Sequence, residues 1–429
     1  MCKRFLSDII VVMLVAFLIL SVAVGVAEEE RTDASGQWEY LLNDGSVTIT
    51  GYAMKPEGDL TIPTELDGYV VGSIGNMAFA YCDSLITVII GEGVTAIGDE
   101  AFYYCSGLTA VTIPDSVTSI GDQAFYECSE LTTVTIQGNA AFPDREGSIG
   151  NMAFAYCRSL TTVTIGESVT AIGDEAFYEC SELTTVTIPV AHIGDQAFYG
   201  CSELTTVTIQ DSATFPDREG SIGNMAFAYC SGLTAVTIPD SVTSIGDQAF
   251  YECSELTAVT IQGSAAFPDR EGSIGNMAFT YCSSLTTVTI GESVTAIGDE
   301  AFYYCSSLTD AIIPVAHIGD RAFYECSELT TVTIQDSATF PDREGSIGDQ
   351  AFYGCSELTT VTIGEGVTAI GDEAFYYCIG LTSVTIPASL TSIGYAAFGA
   401  CEVTLIAKED SFAEQYAKEN EIPYRLVTE

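Results

Sequence analysis

Cysteine, histidine and carboxylate are the groups in this chain that could do chemistry. There are 15 cysteines, 2 histidines and 59 acidic residues in a chain of 429. Every cysteine except Cys2 closes a version of one stretch, IGDEAFYYC at Ile97 to Cys105. That places Cys82, Cys105, Cys128, Cys157, Cys180, Cys201, Cys230, Cys253, Cys282, Cys305, Cys326, Cys355, Cys378 and Cys401 in one frame. A thiolate is both a nucleophile and a metal ligand, but a metal site needs paired ligands such as C-x-x-C, and the sequence has no such pair. His192 and His317 occupy equivalent places in two PVAHIGD stretches, so neither is singular. The carboxylate pairs Asp99-Glu100, Asp174-Glu175, Asp299-Glu300 and Asp372-Glu373 are multiplied in the same way. An active site requires one convergent constellation. The sequence contains no G-x-S-x-G, H-E-x-x-H, phosphate loop or EF-hand pattern. The expectation is therefore a protein that is not an enzyme, with no catalytic residues, no cofactor and no metal site.

The elements that carry these residues must be repeats. Successive cysteines lie 23, 23, 29, 23, 21, 29, 23, 29, 23, 21, 29, 23 and 23 residues apart, and periods in the twenties belong to short solenoid units. One such unit cannot bury its own apolar face, so about fourteen coils are expected to stack into a single elongated core with a cap at each end. Within a unit, Leu131, Val134 and Ile136 alternate with Thr133 and Thr135, the period of a short half-buried strand. Pro114 ends the preceding unit's strand, Val117 and Ile120 return to the core, and Gly121 makes a tight bend. The next position is Asp or Asn in thirteen of fourteen units, Tyr395 being the exception. Its place before x-Ala-Phe-x-x-Cys predicts the N-cap of a short helical turn that faces Ala, Phe and Cys inward. The fold class is thus an α/β repeat solenoid of short parallel strands and short helical turns.

Lys3 and Arg4 precede an apolar run from Ile9 to Val26, with small residues Gly25 and Ala27 before Glu28. This is the layout of a secretory signal peptide cleaved after Ala27, the alternative being an uncleaved membrane anchor. Residues 28–73 then read as an N-terminal cap, with a β-hairpin in WEYLLNDGSVTITGY turning at Asn43-Asp44-Gly45. Residues 74–401 form the array and 402–429 a C-terminal cap. Formal charge is −46 for the whole chain. Such a surface repels phosphate backbones and anionic lipid, so nucleic acid is not an expected partner, and no membrane insertion is expected after signal cleavage. Free cysteine behaves as a small buried hydrophobe, which fits a column of thiols between coils. Disulfides between adjacent coils are the competing reading, encouraged by a secretory signal.

The stretch LTAVTIPDSVTSIGDQAFYEC, Leu108 to Cys128, resembles the BspA-like, treponeme-type leucine-rich repeat, and the resemblance runs from about Ile74 to Cys401. It implies a curved leucine-rich-repeat array and a secreted or surface-exposed protein of host-associated bacteria that mediates adhesion. It also implies an extracellular protein or glycan ligand. The chain departs from the pattern in its 29- and 21-residue units, and no Leu-Pro-x-Thr-Gly motif follows the array.

Three features are candidates for ligand contact. The four 29-residue units carry FPDREG inserts, whose Phe142, Arg145, Phe215, Arg218, Phe267, Arg270, Phe340 and Arg343 either protrude as contact loops or place Phe in the core beside a solvated turn. The outward threonines of the strands, among them Thr133, Thr135, Thr206, Thr208, Thr287 and Thr289, serve β-propensity or present a T-x-T surface to a ligand, with an ice-like lattice as a remote variant. Tyrosines beside the Phe, such as Tyr103, Tyr104, Tyr126 and Tyr178, form an aromatic stripe for partners or cover the joints between turns. The block Arg158 to Cys230 recurs nearly unchanged at Ser283 to Cys355. A function that tolerates such duplication suits a multivalent binding surface or a structural surface spacer without a ligand. Deleting the inserts separates the two.

Overall fold

The computed structural model describes residues 29–137, 147–189, 192–210, 220–263, 272–314, 317–335 and 345–427. Parallel strands of four residues, such as Ala110–Ile113, Thr133–Ile136 and Thr162–Ile165, stack coil upon coil into a sheet of 16 strands. Pairing is in register: Val134 lies between Val111 and Val163, and Ile136 between Ile113 and Ile165. The Val and Ile side chains are buried, as period-two alternation on a one-sided strand requires. A second sheet of 18 strands collects the shorter segments that precede each Gly-Asp or Gly-Asn, for example Ser119–Ile120 and Val169–Ile172. The array is a leucine-rich-repeat solenoid.

The 29-residue units enter the second sheet through a glycine. Gly147 pairs with Val169 and a bulge follows, so that Ser148 pairs with Ala171. Gly220, Gly272 and Gly345 repeat the arrangement. Opposite the buried Val169 of the ordinary unit the long unit thus places buried Gly147, and the pairing register resumes at Ser148.

The third side of each coil differs from the helical turn expected there. In Glu100–Cys105, alternate N–H groups point in different directions. Ala101, Tyr103 and Cys105 donate to the residue three positions back, whereas Glu100, Phe102 and Tyr104 donate to Asp122, Ala124 and Tyr126 of the next coil at 2.7–2.8 Å. Two residues per coil have left-handed φ, here Glu100 at 54° and Tyr104 at 56°. A left-handed residue every fourth position breaks the i→i+4 ladder of an α-helix and turns half of its donors outward to the neighbouring coil. The Asp/Asn ahead of this segment likewise caps the next coil and not its own. Asp99 Oδ1 accepts from Asp122 N, and thirteen such bonds of 2.6–3.0 Å run from Asn76 to Tyr395.

Inside, Phe79 to Phe398 form one column, with successive rings 5.0–5.4 Å apart and within 12° of parallel. Neighbouring coils approach closely at the glycine before the Asp/Asn position in every unit. A Cβ on Gly223 would lie 2.5 Å from the carbonyl carbon of Gly194 in the preceding coil, so no side chain fits. At the N-terminal end, the antiparallel hairpin Trp38–Asn43 and Ser46–Tyr52 turns through Asp44 and Gly45 and leads into the second sheet through Tyr69–Ile74. Trp38 and Tyr52 both pack on Phe79, with ring centroids at 6.1 Å. The C-terminal end is covered by a single helix, α1 (Phe412–Glu419), N-capped by Ser411, followed by a strand that joins the first sheet.

Because each coil rests only on its neighbours, one interior change should act locally and strongly. Phe227→Ala opens the column between Phe198 and Phe250 and is expected to cost about 3–5 kcal/mol; Gly223→Ala, which adds one methyl, about 1–3 kcal/mol by overpacking. Midpoints of denaturant unfolding check both. A shift near zero for Gly223→Ala would contradict the coil spacing.

Candidate functional site

The thiols lie in the interior. Thirteen of the cysteines are buried and Cys401 is half-buried, and all fourteen are free thiols. From Cys105 onward each Sγ donates to the carbonyl of the Phe in the preceding coil, Cys105 to Phe79 and Cys401 to Phe375, at 3.0–3.3 Å. The repeated cysteine therefore fills the small space behind Phe and satisfies a backbone carbonyl, two tasks that Ala or Ser would do less well together. Burial pushes the thiols up: Cys105 to about 12, Cys401 at the less covered end to about 11, and fully enclosed Cys128 well above its ordinary value. A buried thiol with a raised pKa is a poor nucleophile.

The outer surface has three repeated faces. On the first sheet, two rows of residues flank the buried Val. Thr133, Thr206, Thr208, Thr287 and Thr289 are exposed and Thr135 is half-buried. Thr133 stands between Ala110 and Thr162, Thr135 between Thr112 and Thr164, Thr206 between Thr185 and Ala235, and Thr208 between Thr187 and Thr237. Thr287 and Thr289 stand beside Asp310 and Ile312, which interrupt both rows. The candidate insert residues Phe142, Arg145, Phe215, Arg218, Phe267, Arg270, Phe340 and Arg343 lie outside the described residues. A further threonine, absent from the candidates above, follows the core Leu of every coil from Leu108 to Leu381. Thr132 Oγ1 donates to the Thr109 carbonyl and Thr161 Oγ1 to that of Thr132, continuing coil by coil. Its signal was the near-invariant Leu-Thr pair of the units.

On the second sheet, His192 and His317 are exposed, each with Nδ1 beside the serine of the next coil, Ser221 at 3.1 Å and Ser346 at 3.3 Å. Beside that face runs the Asp/Asn ladder, which holds four consecutive carboxylates at Asp299, Asp320, Asp349 and Asp372. Together with Glu300, Glu373 and Arg321 they line a shallow groove. Among the described residues, no group of three or more His, Cys, Asp or Glu is placed to hold a metal ion.

The turn face carries tyrosine. Rings at the first and second positions after Phe touch from coil to coil, and an unbroken path of neighbours 4.8–5.9 Å apart runs from Tyr81 to Tyr377. Some rings cover the joints between turns, and others stand in solvent: Tyr81 is 55% exposed and Tyr377 49%.

These faces define a leucine-rich-repeat solenoid whose exposed residues recur in rows. Residues 60–146, 138–218, 211–267, 263–343 and 345–417 match the BspA type leucine rich repeat region, and the chain belongs to that family. Among solved structures it is similar to a leucine-rich repeat protein from Bacteroides ovatus, 26% identical over 95% of this chain and 100% of that one, with a TM-score of 0.54. It is also similar to a leucine rich cell surface protein from Faecalibacterium prausnitzii, 30% identical over 79% of this chain and 96% of that one, with a TM-score of 0.36. No match was found among curated proteins. No helix among the described residues is long and apolar enough to cross a membrane.

Two predictions concern the interior and the ladder. Buried thiols such as Cys105, Cys128, Cys157 and Cys180 titrate higher in the folded chain than in the unfolded one, so their contribution is fully present below about pH 9 and is lost as pH rises toward their folded values. The thermal midpoint should fall from pH 9 upward, and a thiol reagent at pH 7.5 should label the folded protein slowly and all fourteen array cysteines after denaturation. Fast native labelling would contradict the buried column. At the ladder, Asp320→Asn keeps the acceptor and removes one charge from the run of four, so stability should hold or rise, whereas Asp320→Ala should cost about 1 kcal/mol by leaving Asp349 N–H without its acceptor. Equal midpoints for the two variants would remove the capping role.

Proposed function

We propose that this chain is a secreted or cell-surface binding protein that mediates adhesion or protein–protein interaction with host matrix or other cells, engaging an extracellular protein or glycan ligand. The observation that carries this reading is the in-register recurrence of exposed side chains on the sheet face and the turn face. A ligand that engages several equivalent coils at once gains affinity by orders of magnitude over a single contact. Membership in the BspA-type family supports it. The interior thiols are sequestered, and the Ser–His pairing recurs in two equivalent units, so no catalytic role is proposed. The FPDREG segments, with Phe142, Arg145 and their three counterparts, remain proposed contact points beside the threonine rows.

The near identity of the units favours a second reading, a structural surface spacer without a specific ligand. Binding of residues 28–429 to a panel of immobilised matrix proteins, mucins and glycans at physiological salt separates the two. The proposal predicts saturable binding to one class, weakened when the four inserts are removed or when Thr206, Thr208, Thr287 and Thr289 are changed to Lys. Absence of saturable binding across the panel would favour the spacer.

A further inference from the structure

We propose that the tyrosine face is the docking surface for an extended cationic polypeptide, with Lys or Arg spaced roughly three to five residues apart. This rests on the binding role above and names the face and the chemistry of its partner.

The first argument is continuity. Before the last unit, whose Gly399-Ala400 carries no tyrosine, four units lack tyrosine at the first position after Phe, where Ala80, Ala155, Ala228 and Thr280 stand, and each of them has tyrosine at the second. The aromatic path therefore never breaks, although no single position is always aromatic. Core packing does not require this, because the buried column is already filled by Phe and Cys.

The second argument is charge. Where the second position is not Tyr it is Glu in four coils, at Glu127, Glu179, Glu252 and Glu325. These carboxylates lie among the rings. Glu179 and Glu325 reach over Gly200 and Gly354 of the next coil, filling the space a side chain there would occupy. The hydrogen bond to Glu127, with burial behind it, raises the Tyr104 hydroxyl pKa. Between Tyr229 and Tyr281, with Glu252, Ser231 and Ser254, lies an open depression of about 550 Å³, two rings flanking one carboxylate. Ring faces attract cations through their quadrupole and a carboxylate adds a Coulomb partner. The chain's own Arg158 shows the mode, its guanidinium carbon 5.5 Å from the centre of the Tyr156 ring. With 59 acidic and 13 basic residues, the protein attracts a basic partner from a distance as well.

The third argument is spacing. The stripe glutamates are two or three coils apart, roughly 10–16 Å at the ring repeat of the Phe column, and an extended chain covers that in about three to five residues.

The test uses the full chain and a fluorescein-labelled peptide of six Arg-Gly-Ser-Ser units, followed by anisotropy at physiological salt. The substitutions E127Q/E179Q/E252Q on the stripe and Y229L/Y281L at the depression are each expected to weaken binding by ~10-fold or more. E92Q/E167Q/E292Q removes the same charge from exposed turns between the two sheets and is expected to change binding less than about 2-fold. Circular dichroism verifies folding, and the near-isosteric Glu→Gln set decides the matter if the Tyr→Leu pair fails to fold. Equal weakening by the stripe and control sets, or no saturable binding of the peptide, would overturn the proposal. Peptide binding by a chain that finds no ligand on the matrix panel would uphold the stripe and remove the adhesin. A panel ligand bound by a chain that ignores the peptide would do the reverse.

Discussion

The distance between neighbouring coils governs this structure. Successive Phe rings lie 5.0–5.4 Å apart, a spacing at which each coil's backbone hydrogen-bonds directly to the next on all three sides. Two sides do so as parallel sheets. The third does so through alternate N–H groups of the turn segment, made available by two left-handed residues per coil. With so much of the backbone paired between coils, an isolated coil would leave donors and acceptors unsatisfied as well as apolar side chains exposed. The array therefore stands or falls by its interfaces.

That spacing also selects the side chains. Glycine before Asp/Asn is the residue whose absent Cβ lets one coil meet the backbone of another. Phe at the same point of every coil stacks face to face instead of edge to face, because the coils are translated copies and the rings have no freedom to tilt. Cysteine fits behind it as a small apolar group with one weak donor, and that donor is used. Translation has a cost on the surface, where a carboxylate in one coil stands next to a carboxylate in the following one. The backbone donors aimed at the Asp/Asn ladder offset part of that repulsion, and Asn in place of Asp at four of its positions removes more.

The strands, the burial of Leu, Val, Ile, Phe and Cys, and the family were legible because a period near 23 with alternation inside it admits few folds. The partner of the Asp/Asn side chain was not. Asp followed by x-Ala-Phe is the local signature of a helix N-cap, and only the packed array reveals that the nearest orphan N–H belongs to another coil. The same blindness applies to Leu-Thr, whose hydroxyl bonds a carbonyl more than twenty residues away. Local patterns specify a residue's chemistry, whereas the coil spacing decides which neighbour receives it. The tyrosine path shows this on the surface: the sequence allowed either an aromatic stripe or covers for the joints, and the ring-to-ring continuity appears only when alternating positions are placed side by side.

If stability resides in interfaces between neighbours, a block of whole coils can be removed without harm to the rest. Deleting residues 158–282 joins Cys157 to Ser283, the junction that Cys282 and Ser283 already make, and removes five coils. Far-ultraviolet circular dichroism and cooperative thermal unfolding of the shortened chain test this most directly. The account predicts a folded protein with the same spectrum per residue and a sharp transition. A chain that is unfolded, or that melts without a transition, would show that stability depends on contacts beyond adjacent coils.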